Sequence, residues 1–381
     1  MLESLNNINF NNISSNKNIG IEVGYEIQEA SWVKSPFKSI TGRGSDRGIR
    51  TYAVKNSQPY RPRLKAQLSG SGVSGNTDFE ANYDKLEILS QTIYPEVFGN
   101  ALPSQIRAYD EIERVDFIKE ACDSLANWMN EERDKRIVAS LTNDFTNYLY
   151  TPTMSVATIR KAIFLARNGL KEDNSKAFPI KPIRADLVGV GNVMVQNTSY
   201  IVLLDSYQAN QLKKDTEYKE LRKLYAFANE DKGVLYHGLL GVIDNCPVID
   251  AGVWNKLNVG MPNSTISESE FKRYINKANA NSIVSPVQLR EIIKSKKTER
   301  TTSDNKEISI GCLIGASSVL LAGSETTNFY IDETKDAGRK SVVGVDCILG
   351  VSKAKYQSSD GVTTPYDNQD FAVIGLVSNM E

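Results

Sequence analysis

The sequence predicts an α+β fold, and three observations carry that prediction. The run from Ser104 to Thr151 contains neither glycine nor proline and has the apolar period of a helix. After Pro152, apolar runs with strand character alternate with helical ones. From Phe329 to Glu381 the chain carries β-like runs separated by turn residues.

The chain opens with a polar, nearly uncharged run in which Asn6, Asn7, Asn9, Asn11, Asn12, Ser14, Ser15, Asn16 and Asn18 predominate. A segment with so little apolar surface builds no core of its own, so residues 1–37 are expected to form an extended arm that a neighbour orders. With Met1 as first residue, no propeptide is expected ahead of it.

From Lys38 to Lys65 the bases Lys38, Arg43, Arg47, Arg50, Lys55, Arg61, Arg63 and Lys65 are opposed only by Asp46. Gly42, Gly44 and Gly48 interrupt this stretch, and a serine-glycine run from Ser69 to Asn76 follows it. Beyond that run, Asp78, Glu80, Asp84, Glu87 and Glu96 reverse the charge. Short alternating segments at 63–68 and 86–89 predict a projecting β-hairpin within residues 38–101. A two-stranded ribbon is marginal in water, so it is expected to lie on another subunit.

Val115, Ile118, Cys122, Leu125 and Met129 recur at alternating spacings of three and four. Pro103 with Ser104 supplies a start signal and Thr151 with Pro152 a stop, so residues 102–152 are expected to hold one helix of roughly 40 residues, about 60 Å long. Glu131, Glu132, Arg133, Asp134, Lys135 and Arg136 read as its solvated face, with Glu132 and Arg136 in the favourable i,i+4 order. Asp110, Glu111, Glu113 and Asp116 make its first part acidic, which suits either the helix dipole or a basic neighbour.

A separate α/β unit is expected over residues 153–327. It starts with a helix from Thr158 to Asn168 that Gly169 ends. A buried strand at 200–204 follows, then a helix capped by Asp205 or Ser206, then a helix from Tyr218 to Phe227. Leu239 to Ile243 and Pro247 to Ile249 read as strands broken by Asp244-Asn245. Ile314 to Ala322 reads as a small-residue helix in a core, and Lys294 to Arg300 as an exposed loop. Residues 328–381 are expected to end the chain as returning strands.

Composition excludes several classes. Hydrophobic residues at 40% and charged residues at 24% suit a folded protein, and the net charge of −1 gives no overall footprint for gripping nucleic acid. No run approaches the ~18 apolar residues of a spanning helix and the N-terminus lacks a signal-peptide plan, so cytoplasmic synthesis is expected. Cys122, Cys246, Cys312 and Cys347 are far apart and read as buried thiols, with no metal spacing.

The stretch Gly70 to Gly75 satisfies G-x-G-x-x-G, but no helical period follows it, and a flexible turn explains it as well. No Gly-Lys dipeptide is present for a Walker loop. His237, the single histidine, sits between Tyr236 and Gly238 with no nucleophile elbow elsewhere, and reads as structural. No catalytic residue, cofactor or metal is therefore expected.

Read in order, the arm, the hairpin, the long helix, the α/β unit and the terminal strands resemble the Hong Kong 97-type capsid fold of tailed bacteriophages. The helix Thr158 to Ile163 and the strand and helix from Tyr200 to Asp215 look like the start of that family's axial domain. Gly238 to Gly241 followed by Pro247 to Ile249 looks like a later segment of it. Arg107 with Asp110, and Asp370 with Phe371, resemble the podovirus-like coat protein branch. The resemblance implies an N-terminal arm, an extended hairpin (E-loop), a spine helix in a peripheral domain, and an axial domain.

It also implies a non-enzymatic subunit that self-assembles, as pentamers and hexamers, into an icosahedral shell around double-stranded DNA. Scaffold, portal and decoration proteins would be its partners, the virion its location and the host cytoplasm its place of assembly. Arg43, Arg47 and Arg50 are expected to meet Glu111, Glu113 or Asp116 of a neighbouring helix. A nucleotide-dependent enzyme using Gly70 to Gly75 and a non-viral nanocompartment shell are the alternatives.

Overall fold

The computed structural model describes residues 17–33, 35–55, 57–65, 73–74, 88–104, 117–185, 197–228, 238–253, 268–280, 282–285, 288–289, 291–292, 308–324, 327–358 and 366–380. Helix α1 (Lys17–Val33) leads to β1 (Thr41–Gly42), β2 (Ile49–Ala53), β3 (Arg63–Lys65), β4 (Ile88–Ser90) and β5 (Glu96–Pro103). Then come α2 (Phe117–Thr142), β6 (Tyr148–Tyr150), α3 (Val156–Asn168), β7 (Ile183–Ala185), β8 (Asn197–Ser199) and β9 (Ile201–Leu204). The chain continues through α4 (Ser206–Lys214), α5 (Thr216–Ala228), β10 (Leu239–Ile243), β11 (Cys246–Asp250) and α6 (Glu268–Tyr274). It closes with β12 (Ile308–Ile314), β13 (Val319–Gly323), β14 (Asn328–Lys335), β15 (Lys340–Lys353), β16 (Gln357–Ser358) and β17 (Val373–Asn379).

Two six-stranded sheets organise these elements. The first runs β1-β2-β13-β15-β14, with β5 also paired to β15, and the second runs β10-β11-β9-β12-β17-β6. The last turns of α2 bury Ile137, Val138 and Leu141 in one core with Ile49, Val319 and Leu321 of the first sheet and Ile201, Leu203 and Ile310 of the second. Completely burying a side chain of this size is worth ~1.5–3 kcal/mol, so this shared core ties the sheets together.

The α/β region follows sequence logic closely. Ser155 accepts from Thr158 N to cap α3, and Gly169 ends the helix at φ 62°, a left-handed turn that a side chain would strain. Asp244 and Asn245 take φ values of 50° and 65°, the two-residue hairpin turn that suits these residue types. Strand β9 is buried along its whole length between β11 and β12.

Other expectations are corrected. Residues 17–33 are not an extended arm: they form α1, which buries Val23 and Ile27 against Ala121, Leu125 and Met129 of α2. Gly24 allows this approach, because a Cβ there would stand 2.0 Å from the carbonyl oxygen of Thr327. The long helix does not reach Thr151. It stops at Thr142, Asp144 turns the chain at φ 44°, and Tyr148–Tyr150 pair parallel with β17.

Pro103 closes β5 and Ser104 exchanges hydrogen bonds with Ser341, and residues 105–116 of the expected helix lie outside the described residues. The supposed helix from 314 to 322 is the junction of β12 and β13, which turns at Ser317 with φ 60°. Both strands are buried on both faces, so neither shows the alternation that would have marked it. The terminal strands divide: β15 joins the first sheet, whereas β17 pairs with β12 and β6 in the second. The expected hairpin pairs β3 with β4, and β16 adds a third strand.

Candidate functional site

The sequence pointed to three arginines and three carboxylates. Exposed Arg43 and half-buried Arg47 stand on the excursion between β1 and β2, and Arg50 stands on β2 itself. The Arg47 side chain donates to Ser39 O at 3.4 Å, while its carbonyl accepts from Ser317 N at 2.6 Å. The Arg50 guanidinium lies 5.1 Å from the Tyr52 ring centroid, a cation-π distance. Glu111, Glu113 and Asp116 lie outside the described residues, as do Arg107, Asp110, His237 and most of the Gly70 to Gly75 loop.

Sequence reasoning missed two clusters of buried charge. In the first, Lys353 at the end of β15 places Nζ 2.9 Å from Asp370 Oδ1, and both side chains are buried. Lys355 Nζ reaches Asp144 Oδ2 at 2.9 Å and Asp370 Oδ1 at 3.8 Å. Both lysines also donate to the carbonyl of Asp144, and Thr146 N donates to Asp370 Oδ2 at 2.8 Å. The Lys353 ammonium further lies 4.5 Å from the Phe145 ring centroid. Burial works against ionising Asp144, but hydrogen bonds from Ser282 and Lys355 outweigh it and hold the carboxyl below its ordinary range. The cluster pins the 144–146 turn and the approach to β17 onto β15, one strand system onto the other.

The second cluster replaces the expected solvated face of the long helix. Glu132, Arg133 and Asp134 are buried, and α1 and the chain leaving it cover Arg133 and Asp134. Arg133 Nη2 donates to Ser31 O at 2.8 Å, and its guanidinium stacks 3.5 Å from the Trp32 ring centroid. Ser35 Oγ donates to Asp134 Oδ1 at 2.7 Å. Burial pushes the Asp134 carboxyl up to about 6, against the pull of Arg133 and Ser35. Burial likewise lowers Arg133 to about 10.

All four cysteines are free and buried, and burial pushes Cys312 and Cys347 up to about 12. Among the described residues no three metal-ligating side chains come together. What the geometry offers is a rigid two-sheet body with charged clamps and a basic surface turn.

No family model matches the chain. Across all 381 residues it is 78% identical to the "Major structural protein ORF14" of Helicobacter pylori bacteriophage KHP30, covering the whole of both chains. The chain belongs to this family of phage major structural proteins. Solved structures agree with that membership. The head structure of Helicobacter pylori bacteriophage KHP40 is similar at 75% identity and TM-score 0.82, over all of both chains. The acidic stable capsid structure of bacteriophage KHP30 is similar to the same degree, at 75% identity and TM-score 0.82 over all of both chains. The capsid of Ralstonia phage GP4 shares the fold at only 15% identity, with TM-score 0.62 over 91% of this chain and 92% of that one. The α+β body of this major structural protein is thus a capsid fold, and both charged clusters lie within it.

Proposed function

We propose that the chain is the repeating subunit of a phage head, a non-enzymatic major capsid protein that closes into an icosahedral shell around double-stranded DNA. One observation carries this reading: likeness to a phage major structural protein from the first residue to the last, with 78% identity. Closed symmetric assembly repeats modest contacts many times, so each pairwise interface need not be strong. The order of elements favours the Hong Kong 97-type plan, with β3 and β4 at the base of the E-loop, α2 as the spine, and pentamers and hexamers around the axial region. Scaffold, portal and decoration partners, assembly in the host cytoplasm and residence in the virion belong to the same reading.

In this reading Arg43, Arg47 and Arg50 meet Glu111, Glu113 or Asp116 of a neighbouring copy, which their opposite local charge supports. Electron microscopy of the purified, overexpressed chain tests the main proposal. Closed particles of uniform size are expected, and a dispersed monomer under all assembly conditions would overturn it. Reversing the three arginines to glutamate is expected to weaken assembly and reduce its salt sensitivity; unchanged assembly would remove this interface.

A further inference from the structure

A polar cavity of about 270 Å3 lies where separate stretches of the chain meet. Arg61 lines it from the lead into β3, Thr92 from beyond β4, Ser140 from the last turn of α2 with Asp144 just after it, and Lys353 and Lys355 from the end of β15. A single water needs about 10–15 Å3, so the space takes a solute of several heavy atoms.

The groups that its walls leave unused are donors. Arg61 places Nε and Nη2 on Ser90 Oγ, at 3.0 and 2.7 Å. Its Nη1 has no partner among the described residues, and none of their carboxylates forms an ion pair with this guanidinium. Ser140 is only 5% exposed, yet its hydroxyl has no hydrogen-bond partner among the described residues, and neither has that of half-buried Thr92. Lys355 gives two of its three N–H groups to Asp144, at 3.0 Å to the carbonyl and 2.9 Å to Oδ2. Asp370 Oδ1, at 3.8 Å, stands beyond hydrogen-bond reach of the third. The acceptors are spoken for: the Asp144 carboxylate by Ser282 and Lys355, and the amide oxygens of Asn143 and Asn279 by Val284 N and Tyr94 N.

Charge points the same way. Arg61, Lys353 and Lys355 are the cations of the wall, and the lysines face two carboxylates, Asp144 and Asp370. Three cations against two carboxylates leave one positive charge in excess. Unused donors beside surplus positive charge suit a ligand that only accepts and is itself negative, since hydrogen bonds between charged groups are the strong ones. Four donor groups drawn from four stretches of chain match the four oxygens of a tetrahedral anion better than the single edge of a carboxylate.

We propose that this cavity binds a small tetrahedral oxyanion of the phosphate or sulfate class, with Arg61 and Lys355 supplying charge and Ser140 and Thr92 supplying hydroxyl donors. Once bound, the anion ties the β3–β4 hairpin to α2 and to the end of β15. The site is complete within one chain, so it stands or falls independently of the shell reading.

Calorimetric titration of inorganic phosphate into the full-length chain, in a buffer free of phosphate and sulfate and at fixed ionic strength, tests it. Saturable binding at one site per chain is expected, with a melting temperature that rises with phosphate concentration. Sulfate is expected to compete and acetate is not. Arg61→Gln alters an exposed side chain and should leave the melting temperature in phosphate-free buffer unchanged while weakening phosphate binding about tenfold or more. Ser140→Ala, which changes no charge, should weaken it by a smaller factor. Arg339→Gln removes an equally exposed cation at the β14–β15 turn and should retain the parent affinity. The assignment is overturned by a parent chain that shows neither saturable heat nor a rise in melting temperature. Equal affinity in Arg61→Gln, equal weakening by Arg339→Gln, or displacement by acetate as effective as by sulfate would overturn it too.

Discussion

The two clusters of buried charge are built from similar groups, yet they treat their carboxylates differently. Around Lys353, two lysines face two aspartates, a backbone amide serves Asp370, and Asp144 is held below its ordinary range. Beneath α1, Arg133 donates to Ser31, while Asp134 accepts from Ser35 and, through its other oxygen, from the Asn130 amide at 3.0 Å, with its carboxyl pushed up to about 6. Depth of enclosure and the donors delivered to an acid set its state together: Asp144 is only partly enclosed, with 26% of its side chain exposed, whereas Asp134 is almost fully buried.

That contrast yields a ranked set of expectations. The largest effect belongs to Asp370→Asn, which leaves Lys353 and Lys355 short of a carboxylate in a closed site. A loss of about 3–5 kcal/mol in thermal or denaturant unfolding of the unassembled subunit is expected. The double variant Lys353→Met with Asp370→Leu should recover most of that loss, because replacing a buried ion pair with apolar side chains of similar volume is often neutral. If the double variant fares no better than the single one, packing and not charge balance governs this cluster.

The next effect is one of pH. Because the folded-state value of Asp134 lies above the ordinary carboxylate value, the native chain binds its proton more readily than the unfolded chain does. Its contribution to stability therefore rises as pH falls from 7 through about 6 and levels off near the ordinary carboxylate value. On the order of 1 kcal/mol is expected between pH 7 and pH 5. Asp134→Asn should flatten the profile in that window. Asp144, whose value is lowered, acts in the opposite sense and only at lower pH. The smallest effect is that of Ser35→Ala, expected to cost about 1 kcal/mol and to shift the Asp134 titration upward, since the lost hydrogen bond favours the ionised form. A profile unchanged by Asp134→Asn would erase the distinction between the clusters.

How much the sequence revealed also differs between regions. Helix α3, strand β9 and the β10–β11 hairpin were legible because local signals agree with the fold: Ser155 and Gly169 bound the helix, and Asp244-Asn245 takes the turn these residues favour. The β12–β13 junction was misread because strands buried on both faces lose the alternation that distinguishes them from a core helix.

Helix α1 was hidden behind the asparagines that precede it, although Val23 and Ile27, four residues apart, carried a helical signal. Overlooking α1 made Arg133 and Asp134 look solvated, since nothing in 131–136 itself announces a cover. Lys353 and Asp370 are 17 positions apart, and only the fold unites them. Asp370 was noticed only for the resemblance it carries with Phe371, and its role as a buried acceptor needs a partner that local reading does not supply.

The burial of every native sulfhydryl has a practical outcome. Cys122, Cys246, Cys312 and Cys347 are all enclosed, which denies them to alkylating agents and to disulfide partners, and burial also holds Cys312 and Cys347 near 12, where almost no thiolate forms at neutral pH. A particle made of this chain can leave a reducing cell for oxidising surroundings without scrambling its subunits. One cysteine placed on its surface would then be the lone reactive handle on each copy, repeated over the whole lattice at a fixed spacing for dyes, metals or antigens.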